Sequence, residues 1–174
     1  MSNDILICDL RVFSANTDGL ARAEPTAHPT GYRLTPLSVA DTHDLAHAYA
    51  AAYPPEVGAA SFDEAVAEIP ATFAGDYGTI RFDASFAVRR EDGAAVGAIL
   101  VTERSIWDED LPGPFIIDLF IHPANRNEGS GRKLVEHAMR ACAEQGDTSL
   151  SLRFGEGTSY AASRIYCELG FRAP

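Results

Sequence analysis

Apolar residues along the chain follow two different spacings, one typical of strands and one typical of helices. The positions where the spacing changes mark the boundaries between these elements. A strand-like segment either alternates apolar and polar residues or is a short apolar run bounded by turn residues. Six segments have this character, and we predict strands at residues 4–13, 31–37, 85–90, 94–104, 115–121 and 149–154. Residues 14–30 are small, polar and proline-containing, and we predict a linker there.

Four other segments place apolar residues three or four positions apart, as an amphipathic helix does. We predict helices after Ser38, after Ser61, from Ser130 to about Glu144, and at about 159–169. The first two begin at capping-box patterns; Pro54 should end the first, and Pro70 should kink or end the second. The order β-β-α-α-β-β-β-α-β-α indicates a mixed α/β fold, with an antiparallel first half and one parallel strand pair joined by the third helix.

The chain has 174 residues, a length typical of a single domain with its own core. No apolar stretch is long enough to span a membrane, and the N-terminus lacks the basic start of a secretory signal. We therefore expect a cytoplasmic protein that is not inserted in a membrane. The formal net charge of −11 disfavours nucleic acid as a partner, because such a site needs clustered basic residues. The charge suits a cationic partner such as an amine, or it serves solubility alone.

Residues 115–135 carry the most specific feature of the sequence. An apolar run ends at Pro123, a loop with Gly129 and Gly131 follows, and the third helix begins at once. The first N–H groups of a helix have no partner inside the helix, and the helix dipole adds partial positive charge there. Glycines allow an anion to approach the backbone closely. This arrangement predicts a site for a phosphorylated ligand.

The loop and a second motif near the end of the chain together resemble a known family. Arg126–Gly131 reads Arg-Asn-Glu-Gly-Ser-Gly, and Ala162–Phe171 reads Ala-Ser-Arg-Ile-Tyr-Cys-Glu-Leu-Gly-Phe. These segments fit the Q/R-x-x-G-x-G/A loop and the A-x-x-L-Y-E-K-L-G-F segment of the GNAT superfamily, the acyl-CoA-dependent N-acyltransferases. The resemblance covers about residues 31–171, so residues 1–30 would extend a single domain. It implies a central mixed, mostly antiparallel sheet flanked by helices.

The resemblance implies acetyl-CoA as the cofactor. The strands at 115–121 and 149–154 would splay apart to form its slot, and the backbone of Leu119, Phe120 and Ile121 would pair with the pantetheine arm. The loop amides would hold the pyrophosphate, and the implied loop residues are Arg126, Asn127, Glu128, Gly129, Ser130, Gly131 and Arg132. Ser159 stands where the family often has Asn, and its hydroxyl would either contact the cofactor or cap the last helix.

The loop departs from the family pattern at two positions. Asn127 and Glu128 stand where the family usually has Gly and a basic residue. A carboxylate beside a pyrophosphate is unfavourable, so we expect Glu128 to point outward into solvent. Arg132 and Lys133 would either compensate for its charge or simply be solvated.

Two residues are implied in the chemistry. Tyr166 matches the family tyrosine whose hydroxyl protonates the leaving thiolate; the alternative is an ordinary half-buried helix tyrosine. Asp118 is the first candidate for the base that deprotonates the amine, unless it is paired with an arginine or with backbone N–H groups. His122 and Glu103 are further candidates for that role.

The acceptor side would include Tyr53 and, in the connection before the 115–121 strand, Trp107 and Asp108. Aromatic rings with carboxylates suit a cationic amine through cation–π contacts and charge pairing. The alternative is that the tyrosines belong to the core and the acidic turn is merely solvated. No residue pattern indicates a metal site.

The family fold usually has one more strand after the Gly170–Phe171 pair, beside the 149–154 strand, where this sequence has only Arg172–Pro174. An unpaired strand edge is prone to aggregation. We expect the strand at 4–13 to fill the missing position, either within one chain or from a second subunit, so the protein would be a monomer or a homodimer.

These features predict an N-acetyltransferase that moves the acetyl group of acetyl-CoA to a primary amine of a small molecule or peptide, by direct attack in a ternary complex. The alternative is a catalytically inactive CoA-binding module of the same fold. Other nucleotides fit poorly, because the loop lacks the Gly-Lys-Ser/Thr ending of a P-loop, and no G-x-G-x-x-G follows a first strand.

Overall fold

The structure, a computed structural model, describes residues 4–12, 31–155 and 158–174. All six predicted strands and all four predicted helices are present in the predicted order. They are β1 (Ile5–Asp9), β2 (Arg33–Pro36), α1 (Thr42–Ala52), α2 (Phe62–Ala74), β3 (Phe86–Arg89), β4 (Ala95–Thr102), β5 (Phe115–Ile121), α3 (Ser130–Glu144), β6 (Ser149–Arg153) and α4 (Tyr160–Glu168). The first strand is shorter than predicted, because residues 10–12 are helical. The predicted linker at 14–30 lies outside the described residues.

The strands form one sheet in the order β1-β6-β5-β4-β3-β2. Every neighbouring pair is antiparallel except β5 and β6, which are parallel and joined by α3. A parallel pair needs a crossover connection of this kind, whereas the β3–β4 hairpin closes through the short turn at Glu91–Gly93. The predicted mixed, mostly antiparallel sheet is confirmed.

Helices cover both faces of the sheet, and β4 at its centre is buried along its whole length. Successive side chains of a strand point to opposite faces. Accordingly, Ile99 and Val101 pack in the cluster that contains α3, whereas Ala98 and Leu100 pack in the cluster that contains α1 and α2. Each fully buried aliphatic side chain in these clusters contributes on the order of 1.5–3 kcal/mol to stability.

The prediction that Pro70 could end α2 is wrong, because the helix continues through Pro70 to Ala74. Proline costs the helix one hydrogen bond, but Pro70 lies on the exposed face, and packing of Ala65 and Ile69 holds the segment against the core. The helix ends instead at Gly75, whose φ of 100° is the left-handed conformation common after helix ends. No helix in the described ranges is long and apolar enough to cross a membrane.

The parallel strands β5 and β6 splay apart, as predicted. They pair only at Phe115–Ser151 and Ile116–Leu152. On its other edge, β5 has a bulge, because Leu100 pairs with Asp118 while Val101 pairs with Ile116, which leaves Ile117 as the extra residue. Beyond these positions β5 keeps β4 as a partner but loses β6, and the sheet opens.

Strand β1 fills the outer edge of β6, and it comes from the same chain. It pairs antiparallel with β6 from Ile5–Arg153 to Asp9–Ser149. On its other side, Ile7 and Arg172 exchange two backbone hydrogen bonds, of 2.8 and 2.9 Å. The expectation that the N-terminal strand lies beside the 149–154 strand is therefore confirmed, and both strands belong to one chain.

Removal of residues 1–13 should leave the protein insoluble or unfolded, because it exposes the edge of β6 and removes the buried side chains of Ile5, Cys8 and Leu10. Circular dichroism and size-exclusion chromatography would measure this. Val12→Ser is the matched control, since Val12 is 62% exposed and its substitution should leave the melting temperature unchanged. A soluble deletion product with native helix and strand content would show that β1 is dispensable.

Candidate active site

The separation of β5 and β6 opens a cavity of about 760 Å³. Its wall combines the second half of β5, the glycine loop, the end of β6 and one side of α4. Asp118, Tyr166 and every residue implied to bind the cofactor line it, whereas the further base candidates His122 and Glu103 do not. The lining residues are Asp118, Leu119, Phe120, Ile121, Arg126, Asn127, Glu128, Gly129, Ser130, Gly131, Arg132, Ser159 and Tyr166. The fold thus brings two distant motifs to one place.

The loop before α3 turns sharply, through left-handed backbone at Asn127, with a φ of 67°, and at Gly129, with a φ of 77°. Asparagine and glycine are the residues that adopt this conformation most readily. Gly129 precedes the helix without a side-chain cap, and in the described part of the chain the N–H groups of residues 127–132 have no hydrogen-bond acceptor. Together with the helix dipole, these N–H groups fit a phosphate or pyrophosphate.

The expectation that Glu128 points outward is wrong. The residue lines the cavity, and its Oε2 atom is buried without a hydrogen-bond partner among the described residues. Left-handed backbone on both sides of Glu128 turns the chain here, so the side chain does not follow its preference for solvent. A buried carboxylate oxygen without a partner is costly, and its negative charge opposes any anion bound by the loop.

The arginines near the loop already have partners. Arg132 bonds Glu136 at 2.8 Å and Glu168 at 2.7 Å, and Arg164 also bonds Glu168. Arg126 donates to two backbone oxygens, of Ile121 and Ala52, and thereby ties the end of β5 to the end of α1. An anion in this loop therefore depends on the backbone N–H groups more than on side-chain charge.

Asp118 lies just past the bulge of β5 and accepts a short hydrogen bond from the hydroxyl of Tyr53. Burial raises the pKa of Asp118 to about 7, and the nearby charge of Glu68 adds to this, while the hydrogen bond from Tyr53 opposes it. Asp118 forms no salt bridge with any arginine or lysine of the described ranges. Within the described residues, the alternative in which Asp118 is paired with an arginine is therefore excluded.

Tyr166 is buried in α4, where its ring packs against Phe171 with the ring centroids 5.6 Å apart. It lines the cavity, and its hydroxyl has no hydrogen-bond partner in the part of the chain that the structure describes. Burial, followed by the charge of Asp118, raises the pKa of Tyr166 above its usual value. The phenol therefore keeps its proton at neutral pH and can donate it to a group in the cavity.

Two of the other candidate residues, Ser159 and His122, have structural partners. The Ser159 hydroxyl accepts from the N–H of Ala162 at 3.2 Å, so it caps α4, which was one of its two predicted roles. Nδ1 of His122 accepts from Ala124 N–H. Glu103 is exposed and lines no cavity described here.

Tyr53 lines the large cavity, but Trp107 and Asp108 do not. Trp107 borders a second, smaller cavity. Asp108 is paired with Arg153 through contacts of 2.7 and 2.9 Å, so its charge is already compensated. The sequence analysis predicts neither this pair nor the Tyr53–Asp118 bond, because the partners lie far apart in the chain. The spacing of Ser105 and Asp108 is a local signal from which the side-chain-stabilised turn could have been predicted.

Residues 82–173 match the family model of the acetyltransferase (GNAT) domain. The chain belongs to the GNAT acetyltransferase family. The GNAT motif positions, Arg126–Gly131 and Tyr166, lie inside this range and line the same cavity. No protein with a curated description is similar to the chain in sequence at a significant level.

Solved GNAT structures share the fold at low sequence identity. A GCN5-related N-acetyltransferase from Sphaerobacter thermophilus has a TM-score of 0.64 and 15% identity over 98% of this chain and 48% of that one, so this chain spans about half of its length. The ribosomal-protein-S18-alanine N-acetyltransferase from Escherichia coli has a TM-score of 0.58 and 20% identity, over 81% and 77% of the two chains. An aminoglycoside N-acetyltransferase in complex with CoA has a TM-score of 0.59 and 15% identity, over 81% and 88%.

Glu128→Gln should tighten the binding of coenzyme A by about 3- to 10-fold at low salt, because it removes a negative charge from the cavity wall beside the loop. The gain should shrink as salt screens the charge. Isothermal titration calorimetry at two salt concentrations measures both effects. Glu144→Gln, at the exposed far end of the same helix, is the control and should leave the affinity unchanged. Equal or weaker binding by Glu128→Gln would contradict the electrostatic assignment.

Proposed function

We propose that this chain is an N-acetyltransferase that transfers the acetyl group of acetyl-CoA to a primary amine of a small molecule or peptide, by direct attack in a ternary complex. The observation that carries the proposal is the convergence of Asp118 and Tyr166 on the cavity between β5 and β6. A carboxyl group whose pKa is about 7 and a protonated phenol are the two proton carriers that amide formation from a thioester needs.

The cofactor would be held mainly by backbone groups. The unpartnered N–H groups of residues 127–132 would bind the pyrophosphate at the start of α3. The open edge of β5 at Leu119, Phe120 and Ile121 would pair with the pantetheine amides as an added strand does. Acetyl-CoA, when bound, supplies the acetyl group as an activated thioester.

Three groups of the protein would act around the reacting carbon. A backbone N–H of Leu119 or Phe120 would donate to the carbonyl oxygen and stabilise its developing negative charge. Asp118 would take the proton that the amine loses as the new C–N bond forms. Tyr166 would give its proton to the sulfur as the C–S bond breaks. Tyr53, which donates to Asp118, would keep that carboxylate in place and limit the rise of its pKa.

Tyr166→Phe should lower kcat by about 10²-fold or more, because a general acid typically contributes a factor of 10²–10⁴. The dissociation constant of coenzyme A should change little, since the phenyl ring still packs on Phe171. Thiol release from acetyl-CoA with a panel of primary amines measures the rate, and calorimetry measures binding.

Tyr160→Phe is the matched control for that experiment, because Tyr160 is 81% exposed at the start of the same helix. A Tyr166→Phe enzyme with full activity would remove Tyr166 from the mechanism. If the wild-type protein turned over no amine and yet bound coenzyme A tightly, the inactive CoA-binding module would be the correct description.

The pH dependence of kcat/KM should report Asp118. The carboxyl is protonated below a pKa of about 7 and cannot accept a proton there, so kcat/KM should rise with pH and level off above about 7. An acceptor amine that stays neutral over the whole range isolates this step. Asp118→Asn should lose this rise and most of the activity.

Tyr53→Phe provides the sharper test of the same assignment. The hydrogen bond from Tyr53 lowers the pKa of Asp118, so its loss should move the midpoint of the rise to higher pH. A pH profile with the same midpoint in wild type and Tyr53→Phe would mean that another group titrates.

A further inference from the structure

A second, smaller cavity of about 430 Å³ adjoins the large one. Trp107, Phe115, Ile116, Ile117 and Arg153 line it. Ile116, Ile117 and Arg153 border both cavities, at the point where β5 and β6 cease to pair. Asp118, the residue that follows Ile117, lines the large cavity on the other side of this shared wall.

Among the described residues, the lining of the small cavity is mostly apolar. Four of the five lining residues are apolar, and none of the five is a carboxylate. The positive charge of Arg153 is compensated by Asp108, which meets the same guanidinium nitrogen with both oxygens, at 2.7 and 2.9 Å. A polycationic ligand would find no unpaired carboxylate among these described lining residues, whereas an apolar group could enter without burying an unpaired charge.

Local hydrogen bonds and ring contacts hold the wall formed by Trp107 in place. The Ser105 hydroxyl donates to Asp108 at 2.9 Å and accepts from the backbone N–H groups of Trp107 and Asp108. The indole ring lies 6.1 Å from the ring of Phe115 and 6.4 Å from that of Tyr77, between centroids. Trp107 is nevertheless 52% exposed. An ordered, exposed aromatic side chain at the mouth of an apolar cavity is typical of a binding surface.

We propose that the small cavity is the acceptor subsite, and that it selects a primary amine joined by a short linker to an uncharged aromatic group. This assignment rests on the proposed function and names the class of its acceptor. The ring would lie against Trp107, Phe115 and Ile117. A linker of one or two carbons would then place the amine nitrogen beside Asp118. The Asp108–Arg153 pair would exclude a second charge by leaving it no partner.

The test compares the acetylation of 2-phenylethylamine, ethylamine and 1,4-diaminobutane by the full chain. Burial of the aromatic ring should make kcat/KM for 2-phenylethylamine about 10- to 100-fold higher than for the other two amines. Trp107→Ala should lower the ratio of kcat/KM for 2-phenylethylamine to that for ethylamine by about 10-fold, chiefly through KM. Ile106→Ala is the matched control, because Ile106 is an exposed apolar neighbour that lines neither cavity.

Several results would overturn the assignment. A flat amine profile, or a preference for the diamine, would do so while leaving the acetyltransferase function intact. The same holds if Trp107→Ala changes the preference between acetyl-CoA and butyryl-CoA but not that between amines, because the cavity would then hold the acyl chain. If no amine is acetylated, the proposed function and the acceptor assignment fail together. A circular dichroism melt of each variant checks that it is folded.

A gain-of-function variant completes the test. Asp108→Asn leaves the guanidinium of Arg153 without its carboxylate partner. The ratio of kcat/KM for 4-(2-aminoethyl)benzoate to that for 2-phenylethylamine should then rise by about 10-fold, because the freed arginine can pair with the added carboxylate. Asp110→Asn, exposed in the same connection, is the control and should leave the ratio unchanged. An unchanged ratio in Asp108→Asn would place the acceptor elsewhere.

Discussion

The short parallel contact between β5 and β6 is the constraint on which the candidate site depends. The strands share only two residue pairs, Phe115–Ser151 and Ile116–Leu152. These pairs hold β6 in the sheet, and through β6 they hold α4, which carries Tyr166. Because the pairing then stops, the far half of β5 keeps an open edge toward the cavity. A longer ladder would close the cavity, and a shorter one would leave α4 and Tyr166 less firmly attached to the sheet.

Local patterns were enough to predict the strands, the helices and the position of the glycine loop before α3, because each depends on neighbouring residues. The continuous apolar run of β4 predicts a buried strand, but which of its faces meets which helix layer is seen only in the structure. The two GNAT motifs predict the cavity because the first lies at the start of α3 and the second contains Tyr166 of α4, and both line it. Pro70 misled the prediction, since its effect on a helix depends on packing that the local sequence does not contain.

The charge arrangement could not be predicted in the same way. The sequence contains Asp118, Asp108 and Glu128, but it does not show which partners the fold brings to them. Asp118 meets a tyrosine from α1, and Asp108 meets an arginine from β6. Glu128 meets no partner in the described residues, and its direction follows from backbone angles at its neighbours. Burial and pairing between distant segments decide the chemistry of each carboxylate.

Strand β1 has a consequence for how the chain reaches this structure. Its partners, β6 and Arg172, lie at the opposite end of the sequence, so most of the chain forms the loop between them. Contacts between residues so far apart in the sequence carry a loop-closure cost, and proteins rich in such contacts fold more slowly. The edge of β6 should therefore be one of the last parts to assemble. Until then it is an open template for intermolecular strand pairing, and the kinetic competition between β1 docking and aggregation sets the yield of native protein.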